Sequence, residues 1–195
     1  HKPHLIHESH CSPLHIKLLK KGQGFIFNFL NSCAMILAKK EVIMPRRLRI
    51  ENLGYHHVYN RGVAKNRVFE DEKDKAKFIE ILALVAREFK FNIHAFCLMD
   101  NHYHLLIENK RENISSGMRQ LNAQYASYFN KRHNRVGHLW QDRFKSWYVL
   151  DYTYLFTLFK YIENNPVKAK MSQKVGEYIY CSTYSIFKDA VPPFL

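Results

Sequence analysis

The sequence predicts an α+β protein in which helices pack on a central, mostly antiparallel sheet. Two observations predict it. Two apolar runs, each short enough for a buried strand and free of Gly and Pro, flank the turn triplet Met99-Asp100-Asn101, which is typical of a β-hairpin. Segments with apolar residues three and four apart alternate with such strand-like runs, which indicates amphipathic helices. The predicted order is β, α, β, β, α, β, followed by a third helix.

The composition is that of a globular protein that binds a polyanion. The chain has 195 residues, of which 47% are hydrophobic and 14% aromatic, enough for one domain with a well-formed core. No apolar run approaches the roughly 20 residues needed to span a bilayer. The formal net charge is +13, and an excess of this size favours a nucleic-acid partner over a merely basic, solvated surface.

The cysteines indicate neither a zinc finger nor a disulfide framework. The chain holds four, and no two of them are close in sequence: Cys11, Cys33, Cys97 and Cys181. Cys97 falls in an apolar strand-like run, where a thiol behaves as a small hydrophobic side chain. This usage is consistent with a reducing compartment, so we expect a cytoplasmic protein.

The segment 1–43 differs in pattern from the remainder of the chain and is expected to be a poorly ordered or non-native extension. Lys20-Lys21 before an apolar run would imitate a signal sequence, but Asn28, Asn31 and Ser32 interrupt that run. Met44 opens a segment with the marks of a true start. We therefore expect the domain to span 44–195.

The elements of the domain can be assigned in order from their patterns. The run 54–60 predicts the first strand, and Arg61-Gly62 ends it. Apolar residues recur at three and four over 70–89, which predicts the first helix, and the hairpin comes next over 92–108. We expect Asn113 to cap the second helix and Gly137 to close it. Aromatic and basic residues alternate over 139–149, as expected of an edge strand that offers rings to a nucleic acid or of an ordinary half-buried strand. These elements build a ferredoxin-like or RRM-like sandwich.

The second hairpin strand carries a possible metal-binding pair. Side chains alternate across a strand, so His102 and His104 share one face while Tyr103 points to the other. Two neutral imidazoles on one face can bind one divalent cation. A His-x-His pair on a strand is more often a satisfied or surface pair, so the metal hypothesis depends on a third group elsewhere.

The third helix supplies candidates for that group and for a nucleophile. Asp151 is expected to cap a helix over 152–164, which Pro166 then stops. Tyr161 and Asn165 are four residues apart, so they lie one turn apart on the same side. A tyrosine at the polar edge of a helix is usually a packing residue. Tyr152 and Tyr154 lie on the same helix and are rival nucleophiles, but neither has an amide four residues on.

Taken together, these side chains can perform one reaction. Two histidines and an amide oxygen are three neutral ligands for a hard divalent cation, which leaves positions open for phosphate oxygens. A tyrosine phenol can attack a phosphodiester held at that ion, forming a phosphotyrosine and freeing a hydroxyl. This set of residues therefore predicts an enzyme that nicks a nucleic-acid strand.

Five blocks in succession resemble those of the HUH single-tyrosine transposases, in particular the REP-associated tyrosine transposases. The first three are Met44-Pro45-Arg46-Arg47-Leu48-Arg49-Ile50, Tyr59-Asn60-Arg61-Gly62 and Met99-Asp100-Asn101-His102-Tyr103-His104-Leu105-Leu106-Ile107. The other two are Gly137-His138-Leu139-Trp140-Gln141-Asp142-Arg143-Phe144-Lys145-Ser146 and Tyr161-Ile162-Glu163-Asn164-Asn165-Pro166-Val167. The resemblance extends from Met44 to about Ile186.

The resemblance implies a role for each matching residue. His102 and His104 match the two metal-binding histidines of the family, Asn165 matches the side chain that completes the metal site, and Tyr161 matches the nucleophile. It implies Mg²⁺ or Mn²⁺ as cofactor, single-stranded DNA with a hairpin such as a REP-like palindrome as partner, and a homodimer. Asp100 stands where the family usually has Pro.

The resemblance also suggests which cations contact DNA. These are Arg46, Arg47, Arg49, Arg61, Arg143 and Lys145. Two other functions stay open at this point. One is a module that binds structured single-stranded DNA or RNA without cutting it. The other is a replication initiator or relaxase, which shares the chemistry but usually has a longer chain and more histidines near the metal.

Overall fold

The computed structural model describes residues 50–184. The described strands form one sheet in the order β2-β3-β1-β4, with every neighbouring pair antiparallel. The strands are β1 (Gly54–Arg61), β2 (Phe91–Met99), β3 (His102–Asn109) and β4 (Lys145–Tyr148). The helices are α1 (Glu72–Phe89), α2 (Ile114–Arg132), α3 (Tyr152–Glu163) and α4 (Asn165–Lys168), and a one-turn 3-10 helix spans Val63–Lys65. The predicted α+β class and antiparallel sheet are confirmed.

The two faces of the sheet carry different helices. Side chains of β1 and β3 that face α1 and α2 form the larger core with them, among them Val58, Tyr103 and Leu105. The opposite face packs on α3, where Leu158 and Ile162 join a second apolar cluster. Because β3 is a central strand, the side chains that alternate with Tyr103 lie beneath α3.

The β2–β3 hairpin turns over Asp100 and Asn101, as predicted, since Met99 pairs with His102. Hydrogen bonds hold both the side chain and the backbone of Asp100. Its carboxylate accepts from Lys75 Nζ at 3.2 Å, and its carbonyl oxygen accepts from Val68 N at 2.9 Å. Asp100 therefore ties the hairpin turn to α1 through Lys75.

Several predicted element ends were wrong. Helix α2 ends at Arg132, and the backbone N–H of His133 satisfies the Phe129 carbonyl, so Gly137 lies in the loop beyond. Asn113 is the N-cap residue of α2 as predicted, but its side chain makes no capping bond to the helix, and its Nδ2 donates to the Phe89 carbonyl. In the segment 139–149 only β4 is a strand, since Leu139 and Phe144 enter the core.

Helix α3 also differs from the helix predicted over 152–164. Asp151 caps it as expected, by accepting from Thr153 N at 2.9 Å. The helix ends at Glu163, and Pro166 lies in the first turn of α4 rather than after a terminus. This position suits proline, which needs no hydrogen-bond acceptor in a first turn.

The segment after α4 covers the free edge of β2 and contacts α3. Ser182 N donates to Phe96 O at 3.0 Å, and Cys181 forms an isolated backbone β-bridge with Cys97. Glu163, the last residue of α3, is 3% exposed and accepts from Ser182 Oγ at 2.6 Å and from Thr183 N at 3.1 Å. The C-terminal segment therefore holds the end of α3 against the sheet.

Two predictions fall outside the described residues. They are the extension over 1–43 and the DNA contacts of Arg46, Arg47 and Arg49. None of the helices within 50–184 combines the length and hydropathy needed to cross a bilayer.

Candidate active site

His102 and His104 lie next to each other on the sheet face that α3 covers. Their ring centroids are 5.1 Å apart and the ring planes are nearly perpendicular. His104 is 6% exposed, whereas His102 is partly accessible. The shared face predicted from strand alternation is therefore present.

The orientation of the His102 ring is set by the hairpin turn. Its Nδ1–H donates to Asn101 Oδ1 at 2.6 Å. The Asn101 amide is itself fixed, because its Nδ2 donates to the Lys65 carbonyl at 3.1 Å. Lys65 reaches this position with a left-handed φ of 60° at the end of the 3-10 helix. The turn and the 3-10 helix thus aim the second ring nitrogen of His102 away from the turn.

A third histidine, His57 on β1, holds His104. His57 Nε2 and His104 Nδ1 are 3.0 Å apart, and the two rings stack with centroids 5.2 Å apart. His57 was not among the residues predicted from the sequence. Alternation along β1 places it on one face with Tyr59, but only the register of β1 on β3, in which Tyr59 pairs with His104, brings it to the site.

Burial keeps these rings neutral at neutral pH. It lowers the pKa of His57 to about 4. Burial, followed by the nearby His102 and His57, lowers the pKa of His104 to about 3, and burial with the Arg61 charge lowers the pKa of His102. A histidine binds a metal only as the neutral imidazole. Both Nδ1 atoms are engaged, which leaves Nε2 of His102 and of His104 without a protein partner among the described residues.

Tyr161 on α3 faces the histidines of its own chain. Its ring centroid lies 5.6 Å from that of His104 and 6.1 Å from that of His57. The residue is 42% exposed and lines the cavity at the histidines. Lys168 Nζ lies 5.2 Å from the centre of the Tyr161 ring, which places a positive charge beside the phenol. The structure thus brings the predicted nucleophile to the predicted ligand pair.

Asn165 is not among the residues that line the cavity at the histidines. It is the first residue of α4, and its Nδ2 donates to the Tyr161 carbonyl at 2.8 Å. The predicted spacing of four residues therefore produces a bond to the tyrosine backbone. Within residues 50–184 no group of three His, Cys, Asp or Glu side chains is arranged to hold a metal ion.

Cationic side chains line the cavity around Tyr161 and the histidine pair. The cavity has a volume of about 480 Å³. Arg61, Arg143 and Lys145 are all among its lining residues, so three of the predicted DNA contacts converge here. Arg61 donates to Gln141 Oε1 at 3.1 and 2.9 Å, which holds its guanidinium along the wall.

The rival tyrosines Tyr152 and Tyr154 do not line the cavity at the histidine pair. Tyr154 lines an adjoining groove of about 520 Å³ that also contains Tyr161 and His104. Tyr152 contacts Tyr55 with ring centroids 6.1 Å apart, and it does not line the cavity at the histidines. Tyr161 is the tyrosine of α3 that reaches both spaces.

Comparison with known proteins identifies related sequences and folds. A family model described as "Transposase IS200 like" matches residues 49–165. A solved structure of a REP-associated tyrosine transposase bound to a REP hairpin aligns with a TM-score of 0.58 at 19% identity, covering 75% of this chain and 87% of that one. A putative transposase from Deinococcus radiodurans R1 aligns with a TM-score of 0.43 at 20% identity, covering 62% of this chain and 97% of that one. No curated protein matches the sequence.

Proposed function

The chain belongs to the IS200-like transposase family, and we propose that it cuts and rejoins single-stranded DNA at or near hairpins through a phosphotyrosine on Tyr161. The observation that carries the proposal is the approach of the Tyr161 ring to 5.6 Å from His104, beside a cavity lined by arginine and lysine. A nucleophile, a neutral imidazole pair and cations in one cavity suit a phosphodiester substrate.

His102 and His104 fit a divalent cation. Each has its Nδ1 held by a neighbouring side chain, as is typical of metal-binding histidines, and each has a free Nε2 among the described residues. We propose Mg²⁺ or Mn²⁺ with Asn165 as a further ligand through Oδ1, which accepts no hydrogen bond from the described residues. The bound cation would supply positive charge to a phosphodiester oxygen.

The covalent step is set by the position of Tyr161. Its hydroxyl oxygen attacks phosphorus while the bond to the 3′ oxygen of the preceding nucleotide breaks. The phosphate then links the Tyr161 oxygen to the 5′ oxygen of the downstream strand, and the proton that the phenol loses is balanced by the one that the leaving 3′ oxygen takes up. Attack of a 3′ hydroxyl on this phosphotyrosine reverses the step and restores the phenol, so strands are rejoined without an external energy source.

Arg61, Arg143 and Lys145 would hold the phosphates on either side of the scissile bond. We also propose that Arg46, Arg47 and Arg49, which lie outside the described residues, contact DNA. A hairpin partner is supported by the similar fold of the transposase solved with a REP hairpin. DNA is the substrate, so we propose the cytoplasm as the location of the reaction.

A homodimer is also proposed, but its role would not be to complete the site. Tyr161 already contacts His57 and His104 of the same chain. A second copy would instead hold a second DNA end for strand exchange.

The test is covalent capture of DNA by the full chain. Hairpin oligonucleotides with single-stranded flanks are incubated with Mg²⁺ or Mn²⁺, separated on a denaturing gel and mapped by mass spectrometry. We expect an adduct on Tyr161 that Tyr161→Phe and chelation both abolish. Tyr154→Phe is the matched control and should retain the adduct. An adduct on Tyr154 would overturn the assignment of the nucleophile, and hairpin binding without any adduct would support a non-cutting module.

A further inference from the structure

An exposed aromatic groove adjoins the cationic cavity. We define the aromatic groove by Tyr59, Trp147 and Tyr154, with His104 and Tyr161 at the end nearest the cavity. Its volume of about 520 Å³ lies within the range of roughly 300 to 1,000 Å³ seen for small-ligand sites. The roles proposed above for the cavity do not use these three rings.

Trp147 is largely exposed, yet a hydrogen bond to the neighbouring strand orients its ring. It lies on the edge strand β4 opposite His57 and is 65% exposed, and its Nε1–H donates to the Tyr59 hydroxyl at 3.3 Å. The other tryptophan behaves as a packing residue. Trp140 contacts the Tyr103 ring, and its Nε1–H donates to the Asn122 carbonyl at 3.0 Å. An exposed indole held by a hydrogen bond beside other rings is typical of a ligand-stacking surface.

The groove and the cationic cavity share residues. Tyr59, His104 and Tyr161 line both spaces. A phosphate held beside the Tyr161 hydroxyl by Arg143 and Lys145 therefore places the base attached to it at the entrance of the groove. Phosphate-binding cations on one side and aromatic faces on the other are the two components of single-strand recognition.

From this arrangement we infer that the aromatic groove binds the unpaired nucleobase next to the scissile phosphate, by stacking against Trp147. The inference rests on the proposed function. A paired base cannot enter, because both of its faces are covered by its neighbours in the duplex. The groove therefore requires that the cleaved nucleotide be single-stranded, and it acts independently of hairpin recognition.

Tryptophan fluorescence tests this directly, since Trp140 and Trp147 are the only two in the chain. The full chain with Tyr161→Phe is titrated with two DNA hairpins, one with and one without a single-stranded flank. We expect the flanked hairpin to quench the emission and the blunt hairpin to leave it unchanged. Adding Trp140→Phe should preserve the quench, and adding Trp147→Leu should abolish it. An abasic nucleotide at one flank position should also abolish it.

Affinity provides the second readout. Loss of one stacking ring is expected to weaken binding of the flanked hairpin about 5- to 150-fold. Trp147→Leu should therefore lose affinity for the flanked hairpin and keep it for the blunt one. Because Trp147 is largely exposed, this variant should fold normally, which far-ultraviolet circular dichroism checks.

The outcomes separate the inference from the proposed function. If the wild-type chain forms the Tyr161 adduct but flanked DNA leaves the emission unchanged, the inference is wrong and the function stands. If no oligonucleotide binds or forms an adduct, both are wrong. An emission change that depends on protein concentration and not on DNA would assign the groove to self-association and overturn the inference.

Discussion

His57 Nε2 lies 3.0 Å from His104 Nδ1, in a hydrogen bond between neighbouring strands. The bond joins a ring predicted to bind a metal to one that the sequence did not single out. His104 can offer its Nε2 lone pair to a cation only as the tautomer that carries its proton on Nδ1. Either nitrogen of this bond can carry the proton. When His104 binds a cation it is therefore the donor, and His57 Nε2 is the acceptor that holds it in the ligating tautomer.

The first prediction concerns metal affinity. His57→Ala removes the acceptor for the His104 Nδ1–H, so we expect Mn²⁺ affinity to fall about 10- to 100-fold. Isothermal titration calorimetry with Mn²⁺ measures this without DNA. His57→Gln, whose amide oxygen can accept the same proton, should recover part of the loss.

The matched control for His57 is His56. It is a buried histidine on the same strand that faces the other side of the sheet and bonds to the Asn52 carbonyl at 2.9 Å. His56→Ala should destabilise the fold yet leave Mn²⁺ affinity within a factor of a few. Equal loss of affinity in both variants would show that the effect of His57 is merely structural.

The second prediction concerns the end of the tyrosine helix. Glu163 accepts from Cys181 Sγ, Ser182 Oγ and Thr183 N. Glutamine at this position has one acceptor oxygen and brings an N–H₂ group that faces these donors. Glu163→Gln should therefore lower the free energy of unfolding by about 1–3 kcal/mol, measured by urea denaturation.

Ser182→Ala provides the smaller matched change for Glu163→Gln. It leaves the carboxylate with its other two donors but also removes the Oγ that accepts from Phe96 N at 3.0 Å, so we expect a loss of about 1–2 kcal/mol. If Glu163→Gln proves as stable as the wild-type chain, the carboxylate does not hold the C-terminal segment as described.

The third prediction concerns acid stability. The hydrogen bond from Arg132 holds the pKa of Asp71 well below its usual range. A carboxyl group with a depressed folded pKa contributes stability above its unfolded pKa of about 4 and loses that contribution as the pH falls below it. Asp71→Asn keeps an N-cap oxygen for Asp74 N, so it removes mainly the charge.

We expect Asp71→Asn to lower the free energy of unfolding by less than about 1 kcal/mol at pH 7, because the pair is solvent-exposed. The difference from the wild-type chain should shrink near pH 3 and in high salt. Urea titrations at both pH values measure it. A difference that grows toward acid pH would contradict this sign.

The fourth prediction concerns the cations of the cavity. Arg143→Ala and Lys145→Ala should each reduce the dependence of log Kd on log salt by about one unit, as expected for the loss of one phosphate contact. Fluorescence anisotropy with a flanked hairpin over a range of salt measures the slope. Lys77→Ala removes an exposed lysine of α1 that pairs with Glu80, and its slope should stay unchanged.

The sequence sufficed for the parts of the site that lie on one element. His102 and His104 share a strand, so alternation alone placed them on one face. To place His57 at the site, one must know the pairing register of β1 on β3. To place Trp147, one must know the limits of β4, a strand only four residues long. Such long-range pairing is decided by packing and leaves little trace in the local pattern.

Asn165 shows what a spacing rule leaves open. The spacing of four residues predicts that Asn165 lies one turn from Tyr161, and its Nδ2 does bond to the Tyr161 carbonyl. The spacing does not predict that α3 ends at Glu163 and that Asn165 is the first residue of α4. The predicted α+β order was correct because each strand and helix of the sandwich has its own clear periodicity.

The attachment of α3 at Glu163 suggests how this protein could change its role over evolutionary time. The carboxylate holds the helix that carries Tyr161, yet its partners Ser182 and Thr183 lie in a segment remote from the DNA-binding cations in sequence. A substitution there would weaken the attachment of the helix that carries Tyr161 while Arg61, Arg143 and Lys145 stay in place. Under the proposed function, a cutting enzyme would thereby move toward a hairpin-binding protein with Tyr161, His102 and His104 still present in its sequence.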